Sequence, residues 1–205
     1  PYEECYDKSD GKTTFDFSDS EADIRGMFPT SQSLTITYYE TEATALSETA
    51  MITDPSNYDN TTGSNQSIWV RIDSDVDNSC IGLGTYVDLI VNPLPAITIP
   101  VANPYYCVDV GTSLTKNLET EFNATLLGPQ SPIQYSVRYY ETKNNAETLL
   151  SPLTTVSNTS ATQKVFVRIE NNTTNCFDID PFIIDFIDNP QAFFVAPFEA
   201  CDLDN

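Results

Sequence analysis

The sequence predicts an all-β protein built as two small sandwich domains in tandem. Three observations carry that reading. The chain repeats itself at a domain-sized interval, its apolar residues alternate with period two in short runs bounded by turn residues, and its cysteines recur near both ends of each repeat. Tyr38-Tyr39-Glu40-Thr41 returns about a hundred residues later as Tyr139-Tyr140-Glu141-Thr142. Val70-Arg71-Ile72 matches Val167-Arg168-Ile169, Cys80 matches Cys176, and Asn92-Pro93 matches Asn189-Pro190. Pro1-Tyr2 with Cys5 matches Pro104-Tyr105 with Cys107, and Pro197-Phe198 with Cys201 opens a third copy. The expected boundaries are residues 1–95, 96–190 and 191–205, with the first copy lacking its first strand and the third cut short.

In repeat one, Phe15 and Phe17 alternate onto one face of a short strand, and Ser18 to Ile24 opens a short helix. Ser18 or Asp19 is placed to cap that helix, with Glu21 completing a capping box, and Gly26 stops it. Leu34 to Tyr39, Ile68 to Ile72 and Tyr86 to Val91 are strands by alternation and β-branched content. Glu42 to Leu46 forms one helical turn or a loop, and Asp54-Pro55-Ser56-Asn57 and Asn60-Thr61-Thr62-Gly63 are turns. Tyr58 tucks the crossing loop onto the core, and Pro93-Leu94-Pro95 ends the domain. Repeat two follows the same order, with a first strand at Ala96 to Ile99, a helical segment at Phe122 to Leu127, and strands at Tyr135 to Tyr140, Lys164 to Ile169 and Phe182 to Ile187. The counterpart of Ala96 to Ile99 in the third copy is Ala192 to Val195. Strands of this length and spacing indicate tandem antiparallel sandwiches of the immunoglobulin-like kind with short helical turns. One of each tyrosine pair faces the core, since neighbours on a strand point opposite ways. Tyr58, Trp69 and Phe166 are packing residues.

The chain has 205 residues, 30 acidic and 9 basic ones, no histidine and a formal charge of −21. The acidity runs through every segment and is strongest before Pro95. Such a chain lacks the clustered Lys and Arg that phosphate binding requires, which sets nucleic acid aside. No apolar run is long enough for direct membrane insertion. Without histidine, Ser-His-Asp and Cys-His schemes have no base, and the acidic pairs a glycosidase needs sit on turns without a cleft signature. The protein is therefore not expected to be an enzyme.

Five cysteines without a CxxC or a histidine argue against zinc. The simplest pairing closes each repeat on itself, Cys5–Cys80 and Cys107–Cys176, leaving Cys201 for a partner beyond the chain. Closing a loop of about 75 residues would stabilise a domain by roughly 4 kcal/mol. Pairing across repeats is the open alternative, as are reduced, buried thiols. Disulfides suit an exported, oxidising location. No cofactor is expected, with Ca²⁺ as the one candidate ion. Asp73, Asp75 and Asp77 stand at alternate positions that an oxygen-seeking cation favours, and Asp7 and Asp10 beside Gly11 form a second acidic turn. Solvated turns of the same composition are the competing reading. The Asn-x-Ser/Thr sequons at Asn60, Asn65, Asn123, Asn158, Asn171 and Asn172 follow from an Asn/Thr-rich composition.

Cys5 to Gly11, Phe15-Asp16-Phe17-Ser18, Tyr38-Tyr39-Glu40-Thr41, Asp54 to Tyr58, Ile68-Trp69-Val70-Arg71-Ile72, Cys80 and Val91 to Pro95 form an ordered set. Together they resemble the tandem domain of very large cell-surface proteins of Bacteroidota, including gliding-motility adhesins exported by type IX secretion. Repeat two departs at Val108 to Gly111 and at Leu153 to Val156. The resemblance implies a surface-exposed filamentous adhesin or stalk. Its partners would be neighbouring repeats of the same chain, with an extracellular surface or polysaccharide as further candidates. The alternative is a polysaccharide- or Ca²⁺-binding module of a secreted protein, with its site in the acidic turns of repeat one.

Overall fold

The computed structural model describes residues 1–5, 10–63, 65–76 and 81–191. The two repeats share one order of elements. Repeat one runs β1 (Tyr2–Cys5), β2 (Thr14–Phe15), α1 (Ser20–Gly26), β3 (Leu34–Tyr39), α2 (Glu42–Ser47), β4 (Tyr58–Asp59), β5 (Gln66–Ser74) and β6 (Ile81–Asn92). Repeat two runs β7 (Tyr105–Val108), β8 (Thr115–Asn117), α3 (Leu118–Leu127), β9 (Tyr135–Tyr140), α4 (Lys143–Thr148), β10 (Thr155–Ser157), β11 (Thr162–Asn171) and β12 (Phe177–Asp188). Each repeat folds into a four-stranded sheet, β1-β6-β5-β3 or β7-β12-β11-β9, and a two-stranded ribbon, β2-β4 or β8-β10. This is the all-β, sandwich-like class the alternation predicts. The last, next-to-last and third strands stand side by side as in an immunoglobulin sheet.

One feature of that sheet departs from the expected all-antiparallel pattern. β1 joins the edge parallel to β6, and β7 joins parallel to β12. The first strand of repeat two is therefore Tyr105–Val108. Ala96 to Ile99, expected to be that strand, forms none. Pro95, Pro100 and Pro104 flank or follow this stretch and remove ladder donors, and Thr98 N–H donates to Leu126 O at 2.9 Å. Tyr2–Cys5 holds the corresponding edge position in repeat one. The segment 192–205, expected to open a third copy, lies outside the described residues.

By contacts the chain forms two compact units. The first is Pro1–Ala96 with Ile133–Ser136 and Glu170–Asp178, and the second is Ile97–Pro132, Val137–Ile169 and the chain from Ile179 on.

In repeat one, Ile68, Val70, Ile72, Val87 and Leu89 of the sheet meet Phe15, Phe17, Ile24 and Tyr58 across the sandwich. Phe17 sits at the middle, with Tyr2, Tyr38 and Tyr58 edge-on at 6.1, 5.4 and 5.8 Å. Such aromatic contacts add to area burial by about 1 kcal/mol each. In repeat two Leu118, Phe122, Leu126, Val165, Val167, Phe182, Ile184 and Phe186 are buried, with Phe122 edge-on to Phe182 at 5.1 Å.

Both tyrosines of each pair are buried, not one. Tyr38 faces the core, while Tyr39 points to the opposite face, on the side that α2 covers. Thr41, ending the repeated motif, caps α2 in a capping box with Thr44, and Thr142 caps α4 through Asn145 N–H. On that same face Arg71 donates to Ala45 O at 3.3 Å, and Arg168 donates to Ala146 O at 3.1 Å. Arg71 is also paired with Glu48 at 2.7 Å and Asp73 at 2.8 Å, so a buried cation is matched where it sits. Tyr-Tyr-Glu-Thr and Val-Arg-Ile are thus two halves of one device that fixes a helix to the outer face of the sheet.

The capping box expected for α1 is absent. Asp19 stands at its N-cap without a side-chain cap bond, because its carboxylate accepts from the Tyr2 hydroxyl and Ser18 bonds Asp16 instead. Asn60 and Asn158 clamp equivalent loops. Asn60 accepts from Thr13 N–H and donates to Gly11 O, and Asn158 accepts from Leu114 N–H and donates to Thr112 O. Gly11 is required in its loop: its φ is +78°, and a Cβ there would lie 2.6 Å from Gly63 O.

Candidate functional site

The feature that separates this chain from two ordinary sandwiches is a covalent bond. Cys5, the last residue of β1, is joined to Cys176, which precedes β12, with Cα atoms 5.5 Å apart and 171 residues between them in sequence. This corrects the expected pairings, Cys5–Cys80 and Cys107–Cys176, and the expectation of one disulfide within each repeat.

The parallel edge strands supply the reason. Cys5 stands opposite Asn92, the last residue of β6, whereas Cys80 precedes Ile81, the first residue. A strand of 12 residues spans about 36 Å from first to last, several times the Cα separation a disulfide tolerates. Cys80 itself lies outside the described residues. In repeat two Cys107 stands opposite Ile187, near the end of β12, while Cys176 precedes its start. Each repeat therefore carries its early cysteine at one pole of the sheet, and the start of its last strand at the other. Cys107 is a free, exposed thiol. Cys201 lies outside the described residues.

The early strands are also not in the register the sequence match suggests. Tyr2 is paired with Leu89 and Tyr106 with Phe186, and both hydroxyls donate to a carboxylate of the first helix, Asp19 and Glu121. Tyr106, not Tyr105, is the counterpart of Tyr2. Cys107 consequently falls two places earlier on its strand than Cys5 does. Counting on from Tyr106 puts Asp109 at the place of Cys5, where it accepts from Asn189 at 2.6 Å.

The seat of Cys176 is a tight hairpin between β11 and β12. Asn171 N–H donates to Cys176 O at 2.8 Å and Asn175 N–H to Asn171 O at 2.9 Å. The Asn171 side-chain oxygen accepts from Thr173 and Thr174 N–H at 2.9 and 3.3 Å, folding the tip as an Asx turn. Asn175 holds φ +59°, a left-handed conformation that Asn tolerates. Asn172 fastens this tip to the run before β9, with its N–H on Gln134 O at 2.8 Å and its side-chain amide on Ile133 O at 3.0 Å. The Cys176 sulfur is fully buried and lies 3.9 Å from Asn92 O, the residue opposite Cys5. Asn92, Asn171, Asn172 and Gln134 thus position the bond. Sequence reading noted Asn92 as a repeat match and Asn171 and Asn172 as sequons but gave none of the four a role at a disulfide; the one available signal is the run Asn171-Asn172-Thr173-Thr174-Asn175 immediately before a cysteine.

The acidic turns are otherwise engaged. Asp73 is paired with Arg71. Asp75 accepts from Ser33 at 2.5 Å and Thr35 at 2.7 Å, and these hydroxyls hold its carboxyl below the ordinary value of 3.8. Asp10 accepts from Lys12 N–H at 3.1 Å. Asp7 and Asp77 lie outside the described residues. Among the described residues no three Asp, Glu, Cys or His groups come together as metal ligands would.

A surface cavity of about 310 Å³ is lined by Tyr2, Asp19, Asp23, Met27 and Tyr86 among others. Burial first, and then the hydrogen bond to Asp19, push the Tyr2 phenol above its ordinary value of 10.0, so it remains a neutral donor. Ser20 also lines it, and its hydroxyl donates to the Tyr38 hydroxyl at 2.9 Å. No helix among the described residues is long and apolar enough to cross a membrane.

A model of the family described as the Flavobacterium inter-domain disulphide bond domain matches the chain twice, over residues 1–95 and 104–191. The chain belongs to this family. The two matched copies of the inter-domain disulphide family are the ones that Cys5–Cys176 joins, Cys5 in the first and Cys176 in the second. No curated protein sequence matches the chain. Among solved structures it is similar to one described as Sidekick-1 immunoglobulin domains 1-4, at 12% identity and a TM-score of 0.28. That match covers 80% of this chain and 42% of the other, so the chain spans less than half of that structure's length.

Proposed function

We propose that this chain is a non-enzymatic structural segment of a large filamentous cell-surface adhesin, in which tandem sandwiches are stapled into a stalk by disulfides between repeats. The observation that carries the reading is the Cys5–Cys176 bond, which spends its stabilisation on joining two copies and not on closing either one. What the copies share supports it. They keep the core, the helix-fixing arginine and the tyrosine pair, while their loops diverge, as expected where no loop must hold a common ligand. The disulfide suits an oxidising extracellular location, and a charge of −21 keeps neighbouring filaments apart. The partners in this reading are neighbouring repeats of the same chain, with no resident metal required. Export by type IX secretion and service in attachment or gliding extend the same proposal.

Protease treatment of intact cells, followed by denaturing electrophoresis of the native polypeptide carrying this segment, tests it. The expected result is a protease-accessible chain many repeats long. A chain of only a few domains, or one protected inside the cell, would overturn it.

A further inference from the structure

We infer that the Cys5–Cys176 bond is a tension shunt, which makes the chain nearly inextensible by routing axial force through β1 and β12 and around the rest of the two repeats. The inference rests on the reading of this chain as a stalk only for its physiological use. The mechanical property itself follows from covalent topology.

A pull applied at the two ends follows the shortest covalent path. From the amino-terminal side it enters β1 and reaches Cys5. There it crosses the disulfide to Cys176 and continues into β12 toward the carboxyl end. The residues between Cys5 and Cys176 are outside that path. They hold β2 to β11 and α1 to α4, so of the strands described only the edge strand β1 and β12, which carries Phe182, Ile184 and Phe186, take axial load. The hidden length is large: 171 residue steps at about 3.5 Å each give roughly 600 Å of contour length.

The two segments left on the path have little to give. β1 has 4 residues and β12 has 12, and both are strands already close to full extension. β12 also lies inside its sheet, between β7 and β11, so lateral hydrogen bonds hold it along its length while it is pulled from Asp188 and anchored at Phe177. The hairpin carrying Cys176 is braced where force turns the corner, by the Asn171 and Asn172 bonds to Cys176, Gln134 and Ile133. Without the disulfide the same pull would run through every strand in turn, and each sandwich would unravel as it yielded.

The test is single-molecule force spectroscopy on the whole chain, tethered at its two ends. The force is clamped at a level that unfolds the reduced protein. Without reductant the expected release is limited to residues outside the loop, about 120 Å at most. Adding dithiothreitol under the same clamp should free a further length of roughly 600 Å, gated by thiolate attack on one sulfur of the bond and departure of the other as thiolate. Release of several hundred ångströms without reductant overturns the shunt, as does a reduced chain that lengthens no further. A chain that behaves as expected but is found inside the cell leaves the shunt standing and sinks the stalk reading.

Discussion

Replacing Cys5 and Cys176 together by serine removes a constraint whose size can be worked from the structure. The crosslink closes 171 residues, and the loop entropy it takes from the unfolded chain corresponds to about 5 kcal/mol. If the two units unfold in separate steps, the closed segment is roughly half as long. Because the term grows only as the logarithm of length, the loss then falls to about 4.5 kcal/mol. The expected destabilisation is therefore nearly independent of the order of unfolding. The assay is urea denaturation followed by far-UV circular dichroism, comparing oxidised wild type with the double serine variant. The mechanism adds a second observable. A crosslinked unfolded chain exposes less surface, so the wild type should unfold with a smaller m-value than the variant. A difference in stability below about 1 kcal/mol, or equal m-values, would refute the argument that the bond acts through the unfolded state.

Two tyrosines that follow one another should respond in opposite directions to loss of a hydroxyl. Tyr140 is fully buried with no hydrogen-bond partner for its oxygen, so Tyr140→Phe should leave stability unchanged or raise it by about 1 kcal/mol. Tyr139 donates to Asn123 at 2.7 Å, so Tyr139→Phe should cost about 1 kcal/mol in the same urea titration, and equal effects would contradict the assignment. Asp75, held low by Ser33 and Thr35, stabilises the fold at pH above the ordinary 3.8 and loses that contribution as pH falls through its depressed folded value. Asp75→Asn should flatten the acid limb of a plot of Tm against pH and leave the neutral region as a simple offset. An unchanged acid limb would exclude the linkage. Chelation of divalent cations should not move Tm, since Asp73 and Asp75 are already committed to Arg71 and to two hydroxyls. A drop that added Ca²⁺ reverses would restore the calcium reading.

The sequence alone determined what local pattern controls. Alternation marks Leu34–Tyr39, Ile68 to Ile72 and their repeat-two counterparts as strands, because a half-buried strand needs a period of two. The duplicated Tyr-Tyr-Glu-Thr and Val-Arg-Ile declare two copies of one domain, and Phe15, Phe17 and Tyr58 are recognisable as core. Where local signals compete, tertiary context decides. Asp19 looks like a cap but serves Tyr2, and alternation puts one tyrosine of each pair on the core, whereas both are buried because α2 covers the side of Tyr39. The disulfide is the largest case. A cysteine near each end of a repeat suggests a bond that closes the repeat. Only the sheet shows that the first strand lies parallel to the last, which leaves Cys5 a full strand length from Ile81. Strand direction is set by the path of the whole chain and leaves no mark on the residues themselves. Thus spacing could suggest that cysteines are bonded, and only the fold could say that Cys5 pairs with Cys176 and that Cys107 stays free.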